Sequence, residues 1–172
     1  MAYPYVVFAT RKQLTITTMN IFKRTIVFTI FLLAATEFSV AQNPADRILG
    51  TYYVIEPSSK EESKVQIYKT DKGTYFGKVI WMKNPNMPDG TPKRDIKNPD
   101  PSLRNTRGDQ IVLVKNFTYN SKTGEWVNGE IYNPVEGKTY KCKMAFESDT
   151  KLKVRGYIGV PALGRSMYWK KL

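Results

Sequence analysis

The side chains that most often run enzymes are scarce in this chain. Its 172 residues include no histidine and a single cysteine, Cys142. That excludes Ser-His-Asp and Cys-His nucleophilic chemistry and the usual zinc sites. One thiol forms no internal disulfide. In Tyr140-Lys141-Cys142-Lys143-Met144, alternation groups it with Tyr140 and Met144, which reads as a small buried hydrophobe. Glu125 and Glu130 come nearest to a carboxylate pair for sugar hydrolysis, but a spacing of five places them on opposite faces of one strand. The stretch around Asp89-Gly90 lacks the oxygen spacing and distal glutamate of a calcium loop, and no Gly-rich phosphate cradle is present. The chain therefore reads as a non-enzyme with no cofactor and no metal. What remains is recognition chemistry. Tyr52, Trp81, Tyr140 and Phe146 offer aromatic surface, while Arg155, Arg104 and Asp100 offer charge near an opening. Together these residues suit a small apolar or amphipathic ligand, anionic at one end.

Such a site needs a scaffold, and the pattern predicts an all-β one. Helical periodicity is nearly absent after residue 41. Short runs of β-branched and aromatic residues recur every ten or so positions between turn signals, as in a sandwich or barrel. Eight strands are predicted, at 50–56, 63–69, 74–83, 110–117, 125–132, 138–146, 150–158 and 165–171. Asp71-Lys72-Gly73, Ser121-Lys122-Thr123-Gly124, Asn133-Pro134-Val135-Glu136-Gly137 and Ser148-Asp149 are short links between neighbours, so an antiparallel meander follows. In the sixth strand Tyr140, Cys142, Met144 and Phe146 share one face and Lys141 and Lys143 the other. In the seventh, Leu152, Val154, Gly156 and Ile158 oppose Lys151, Lys153 and Arg155. Ile111-Val112-Leu113-Val114 is apolar on both faces, which predicts a cover over its outer side. Gly77, Gly129, Gly156 and Gly159 are expected inside strands, where a small barrel turns its corners. Closure removes the exposed edges that invite aggregation. The expected fold is a single small antiparallel barrel of about eight strands, wound as a meander.

One segment breaks the rhythm. Asn84 to Gln110 carries five prolines and little apolar content. Loops longer than about 12–15 residues are uncommon and tend to be functional or disordered. This one is expected to cross an end of the barrel, as a loop folded on itself in preference to a lid with a charged rim. Asp95 and Asp100 are expected to accept hydrogen bonds from Arg104, Arg107 or Lys93. Arg107-Gly108-Asp109 matches an adhesion tripeptide, but it reads as a turn into the fourth strand.

The amino-terminal part reads as an address. Lys23 and Arg24 precede an apolar run, Thr25 to Phe38, interrupted only by Glu37, and Ser39-Val40-Ala41 supplies small residues for cleavage. The run is shorter than the roughly 20 residues of a membrane span. Residues 19–41 are thus expected to be a signal peptide. Residues 1–18 are expected to be an extension or a mis-called start, and residues 46–172 a single barrel domain. The working protein would be periplasmic or secreted, and not membrane-spanning once cleaved. Without Arg11, Lys12, Lys23, Arg24 and Glu37, its 131 residues hold 23 basic and 14 acidic side chains, a charge of +9. Such a balance attracts anionic surfaces. For an exported chain those are envelope surfaces rather than nucleic acid. Two architectures fit: a barrel with room for a ligand, or a filled barrel in a structural role. In the second, Lys141, Lys143, Lys151 and Lys153 would meet anionic lipid or glycan. A cavity of about 300 Å³ or more distinguishes the first.

Gly50-Thr51-Tyr52 resembles the Gly-x-Trp opening of lipocalins, with tyrosine for tryptophan. Arg165 and Trp169 resemble the pair that closes such barrels by stacking a guanidinium on an aromatic ring. A larger set of strings is more specific. It comprises Ile48-Leu49-Gly50-Thr51-Tyr52, Val65-Gln66-Ile67-Tyr68, Gly77-Lys78-Val79-Ile80-Trp81, Asp89-Gly90-Thr91-Pro92-Lys93, and Asn98-Pro99-Asp100-Pro101 with Leu103-Arg104. Further along come Gly129-Glu130-Ile131-Tyr132-Asn133-Pro134, Gly137-Lys138-Thr139-Tyr140, Leu152 to Gly159, and Leu163-Gly164-Arg165 with Tyr168-Trp169. Together they resemble the exported bacterial family called Domain of Unknown Function 2147, across residues 46–171. The resemblance implies one secreted or periplasmic barrel-like domain and no assigned activity. The chain departs from that pattern at Tyr52, where tryptophan is expected, and near Arg107-Gly108-Asp109, where the family is more apolar.

Overall fold

The computed structural model describes residues 43–172. The predicted signal peptide and the extension before it lie outside the described residues. Gln42–Leu172 forms a compact unit of its own. A short 3-10 helix, η1 (Pro44–Ile48), precedes eight strands: β1 (Gly50–Ile55), β2 (Glu62–Lys69), β3 (Tyr75–Met82), β4 (Val112–Asn120), β5 (Glu125–Asn133), β6 (Lys138–Phe146), β7 (Lys151–Tyr157) and β8 (Arg165–Lys171). Each strand pairs with the next in antiparallel fashion, and β8 returns to β1 to close the barrel. The closing seam is short, with Tyr52 opposite Lys171 and Tyr53 opposite Lys170. The predicted strand ends hold to within a residue or two, except that β4 begins later and runs on to Asn120.

The barrel curves where the sequence supplies small residues and extra ones. Gly129 sits under the Phe117 ring: a Cβ there would lie 2.3 Å from a ring carbon. A Cβ on Gly77 would lie 2.6 Å from Val114. These two glycines let neighbouring strands bend inward until side chains from β4 fill the space. Asn116 and Asn128 adopt positive φ, and the β5–β6 register slips by one residue between Trp126 and Gly129. Bulges of this kind sharpen the local twist. Gly159 differs from expectation. It belongs to the β7–β8 turn, at φ +69°. So does Ile158, which alternation groups inward with Leu152 and Val154: the strand ends at Tyr157, and Ile158 is exposed. The outer side of β4 is also uncovered: Val112 is exposed, while Ile111 and Val114 are buried.

The core fills one end of the barrel. Tyr52, Val65, Phe117, Trp126, Met144, Leu152 and Trp169 are all buried there. η1 plugs that end. Ile48 is fully buried, the Tyr52 hydroxyl donates to the Ile48 carbonyl at 2.8 Å, and Trp126 Nε1 donates to the Ala45 carbonyl at 3.0 Å. The Tyr75 hydroxyl donates to Asp46 at 2.6 Å. Every polar hydrogen aimed into this floor thus has a partner, as burial requires. The predicted stack of Arg165 on Trp169 does not form. Four residues along a strand span about 13 Å, so Trp169 lies in the floor and Arg165 at the opposite end. Arg47 over Phe146 (4.4 Å) and Lys171 over Tyr52 (6.0 Å) supply the cation–ring contacts at the plug.

Candidate functional site

Above the floor the barrel is open. A cavity of about 1020 Å³ runs from the interior to the mouth opposite η1. Val54, Val79, Ile111, Leu113, Ile131 and Met167 line its walls, and Trp169 forms part of its base. The walls are apolar because alternation sends every second residue of these strands inward. The space exists because the large aromatics (Tyr52, Phe117, Trp126) are gathered at the plugged end. Gly156 adds room at the β7 wall. A filled barrel, the structural alternative drawn from the sequence, does not fit a cavity of this size.

The long segment between β3 and β4 borders the mouth through Met87, Thr91, Lys93, Arg94 and Ile96. It is a folded element, with 3-10 turns at Pro101–Leu103 and Gly108–Gln110 and antiparallel bridges Asn86–Pro92 and Arg94–Arg107. Its anchor is Asp95. This buried carboxylate accepts the Tyr132 hydroxyl at 2.6 Å and the Asn98 amide at 2.7 Å. Burial and the bond to Asp95 push the Tyr132 phenol well above its ordinary range. Lys97 Nζ donates to the Val135 carbonyl at 2.7 Å, which ties the segment to the β5–β6 turn. The expected arginine bonds to Asp95 and Asp100 are replaced by others. Arg104 Nε donates to the Asn98 carbonyl, Arg107 pairs with Asp109, and Lys93 pairs with Glu61. Arg104 thus turns to a carbonyl of its own turn, and Arg107 and Lys93 take the carboxylates of Asp109 and Glu61, while the Asp95 and Asp100 carboxylates are occupied by Tyr132, Asn98 and Ser102.

The seven residues singled out from the sequence scatter, and Phe146 lies at the plugged end against Arg47 and Trp126. Tyr140 lines the mouth, where its hydroxyl donates to Glu136 at 2.5 Å. That bond raises the phenol's pKa, with burial adding to it. Tyr52 belongs to the floor beneath the cavity, and burial holds its phenol proton far above the ordinary range. Trp81 points outward and is 40% exposed, with the Lys64 ammonium 5.2 Å from its ring. A register shift at Lys64/Val65 turns this end of β3 over, so simple alternation misplaces it. Asp100 caps the Pro101–Leu103 turn by accepting from the Ser102 amide (2.9 Å) and hydroxyl (2.7 Å), which lowers its pKa. Arg104 braces the same segment. Arg155 faces outward beside Gly156. It donates to the Pro161 carbonyl (2.7 Å), the Ala162 carbonyl (3.1 Å) and the Ser166 hydroxyl (2.9 Å), which fixes the β7–β8 turn. Of the seven, only Tyr140 borders the cavity.

The residue missed is Arg165. On β8 it shares the inward register of Met167 and Trp169 and pairs with Gly156. It borders the cavity mouth and has no carboxylate within ion-pair range among the described residues. Its charge is felt at the Tyr140 phenol. The period-2 pattern Arg165-Met167-Trp169 carried this signal, but the expectation of a closing stack absorbed it. Cys142 is buried as expected, and burial pushes its thiol up to about 12. Among the described residues no cluster of three metal-ligating side chains occurs, and no helix is long and apolar enough to cross a membrane.

A family model described as "uncharacterized protein conserved in bacteria (DUF2147)" matches residues 50–171, from the first residue of β1 to the last of β8. The chain belongs to this family. A solved structure similar to this DUF2147 barrel is a protein of the human pathogen Helicobacter pylori, described as belonging to the lipocalin family. It is 28% identical, covers 72% of this chain and 82% of its own, and superposes with a TM-score of 0.60. No curated protein matches the sequence. The DUF2147 fold is thus a closed, lipocalin-like eight-stranded antiparallel barrel, an architecture that fits small-ligand binding.

Proposed function

We propose that this protein is an exported binding module that holds an elongated amphipathic molecule, apolar end inward, in the barrel cavity. The observation that carries the reading is an apolar cavity of about 1020 Å³ with an inward-register arginine at its mouth. A packed eight-stranded barrel has room for little more than its own side chains. This one keeps its aromatics at the floor and leaves the upper half open. Val54, Val79, Ile111, Leu113, Ile131 and Met167 suit a hydrocarbon segment. Arg165 suits a carboxylate or comparable anion, with the Tyr140 ring alongside. The leader-like Lys23 to Ala41 supports export into the periplasm or beyond.

The test is a titration of a long-chain carboxylate and of the alcohol of equal chain length, by displacement of a fluorescent amphiphile. Both bind, the carboxylate more tightly. Arg165→Gln weakens the carboxylate by about tenfold or more, the worth of a charged hydrogen bond, and leaves the alcohol unchanged. Leu113 on β4 and Met167 on β8 face across the ring, so Leu113→Trp with Met167→Trp weakens both ligands while the circular dichroism spectrum holds. Equal binding of both ligands by the tryptophan variant would place the amphiphile elsewhere and end the proposal.

A further inference from the structure

Large exposed apolar side chains gather at one place on this molecule. Ile96, Ile158 and Leu163 are 71%, 73% and 80% exposed, and each borders the cavity mouth. They come from two separate segments: Ile96 from the β3–β4 segment, and Ile158 and Leu163 from the β7–β8 turn. Met87 and Val135 extend the same rim. Neither segment is a loose tail. Arg155 grips the Pro161 and Ala162 carbonyls that precede Leu163, and the Leu163 amide donates to the Val160 carbonyl at 3.1 Å. Lys97 ties the Ile96 segment to the β5–β6 turn, whose Gly137 packs so closely on the Lys97 carbonyl that a Cβ would lie 2.2 Å away. The fold therefore holds these side chains out in water, where each costs free energy unless something covers it.

Charge at the rim favours one kind of cover. Its acidic groups are engaged: Glu61 by Lys93, Glu136 by Tyr140 and Lys138, and Glu56 by the Ser58 and Ser59 amides. Two of its exposed bases, Arg94 and Lys97, bond only backbone carbonyls and have no carboxylate partner among the described residues. On the lysine face of β6 and β7, three of the four lysines are paired and Lys141 alone is not, among the described residues. Lys143 pairs with Glu125 at 2.8 Å, and Lys151 and Lys153 pair with Glu147 at 2.9 and 3.5 Å. Shape narrows the choice again. The apolar tips ring an opening, whereas a stable protein partner needs a continuous patch of about 800 Å² per side. A bilayer meets separated tips without such a match.

We propose that the mouth rim seats this barrel on an anionic lipid bilayer, with Ile96, Ile158 and Leu163 entering the acyl boundary and Arg94 and Lys97 meeting the headgroups. Apolar side chains flanked by cations are the pairing that interfacial binding uses. The seat needs no cargo. When a cargo is present, the mouth opens into the layer from which an amphiphile would come, so the chain passes inward without crossing water.

The test uses residues 42–172 with Leu163→Cys, carrying an environment-sensitive dye. Cys142 is buried and its thiol pushed up to about 12, so the dye enters at position 163 alone. Vesicles of phosphatidylcholine with about one third phosphatidylglycerol, at about 0.1 M salt, blue-shift the dye, and pure phosphatidylcholine does so far less. Ile96→Asp with Ile158→Asp lowers partitioning by about tenfold or more, and Arg94→Gln with Lys97→Gln lowers it about fivefold or more on the anionic vesicles alone. No shift on anionic vesicles, or partitioning unchanged by Ile96→Asp with Ile158→Asp, overturns the proposal. So does a dimer in light scattering that Ile158→Asp disperses, which would make the rim a contact between two copies.

Discussion

At the scale of single residues, the barrel depends on where a side chain is missing. Gly129 carries none, and the Phe117 ring occupies the place a Cβ would take, 2.3 Å from the nearest ring carbon. Both residues lie in strands whose neighbours cannot move apart without breaking a ladder. Gly129→Ala therefore destabilises the protein by about 1–3 kcal/mol in urea unfolding, as overpacking does. In combination with Phe117→Leu, the two losses add to less than their sum, because the smaller side chain frees the space. A Gly129→Ala protein within ~0.5 kcal/mol of the parent would mean that the ring has another place to go. Residue-level reading of the sequence worked where alternation was unbroken. Cys142, Met144, Leu152 and Val154 are buried where the pattern put them. It failed at Trp81, because the register shift at Lys64/Val65 cannot be seen in residue types. It also passed over Arg165, whose inward register lay in the same period-2 pattern that identified Trp169.

At the scale of elements, the strands were legible and the segment that borders the site was legible only as an exception. Five prolines between Asn84 and Gln110 marked it as a crossing segment, and it does border the mouth. Its internal bonds were not readable. Asp95 finds Tyr132, 37 positions away, and no local pattern encodes that pairing. The plug was likewise hidden. Pro44–Ile48 carries no helical periodicity, and its value comes from Tyr52 on the adjoining β1 and from Tyr75 and Trp126, which reach it from strands distant in sequence. The bond between Asp95 and Tyr132 has a measurable consequence. Tyr132→Phe leaves a buried carboxylate one donor short, at a cost of about 1–3 kcal/mol. Urea unfolding shows that loss, and limited proteolysis cuts between residues 84 and 110 faster than in the parent. If cleavage stays at the parent rate, the segment is held by its other bonds and Asp95 is not its anchor.

At the scale of the whole molecule, the sequence pointed to a closed barrel and left open whether it was filled. Volume is a collective property. It depends on which inward residues share a level of the barrel, and that follows from register and tilt, which a strand pattern does not reveal. Here the aromatics share the floor with η1 and the aliphatics share the upper wall, so one end is solid and the other hollow. Lys143, Lys151 and Lys153 on β6 and β7 take part in ion pairs with Glu125 and Glu147, whereas Arg94, Lys97 and Arg165 at the mouth have no carboxylate partner among the described residues. Cavity, cation and apolar rim thus coincide at one end of the barrel. The most direct measurement of whether that end holds an amphiphile is a calorimetric titration with saturated carboxylates of increasing chain length. Burial of each added CH₂ is worth about 0.8 kcal/mol, so affinity should rise about fourfold per CH₂ until the chain fills the roughly 13 Å between Arg165 and Trp169, then level off. Affinity that is absent at every length, or that keeps rising without a plateau as in simple partitioning, would contradict the account.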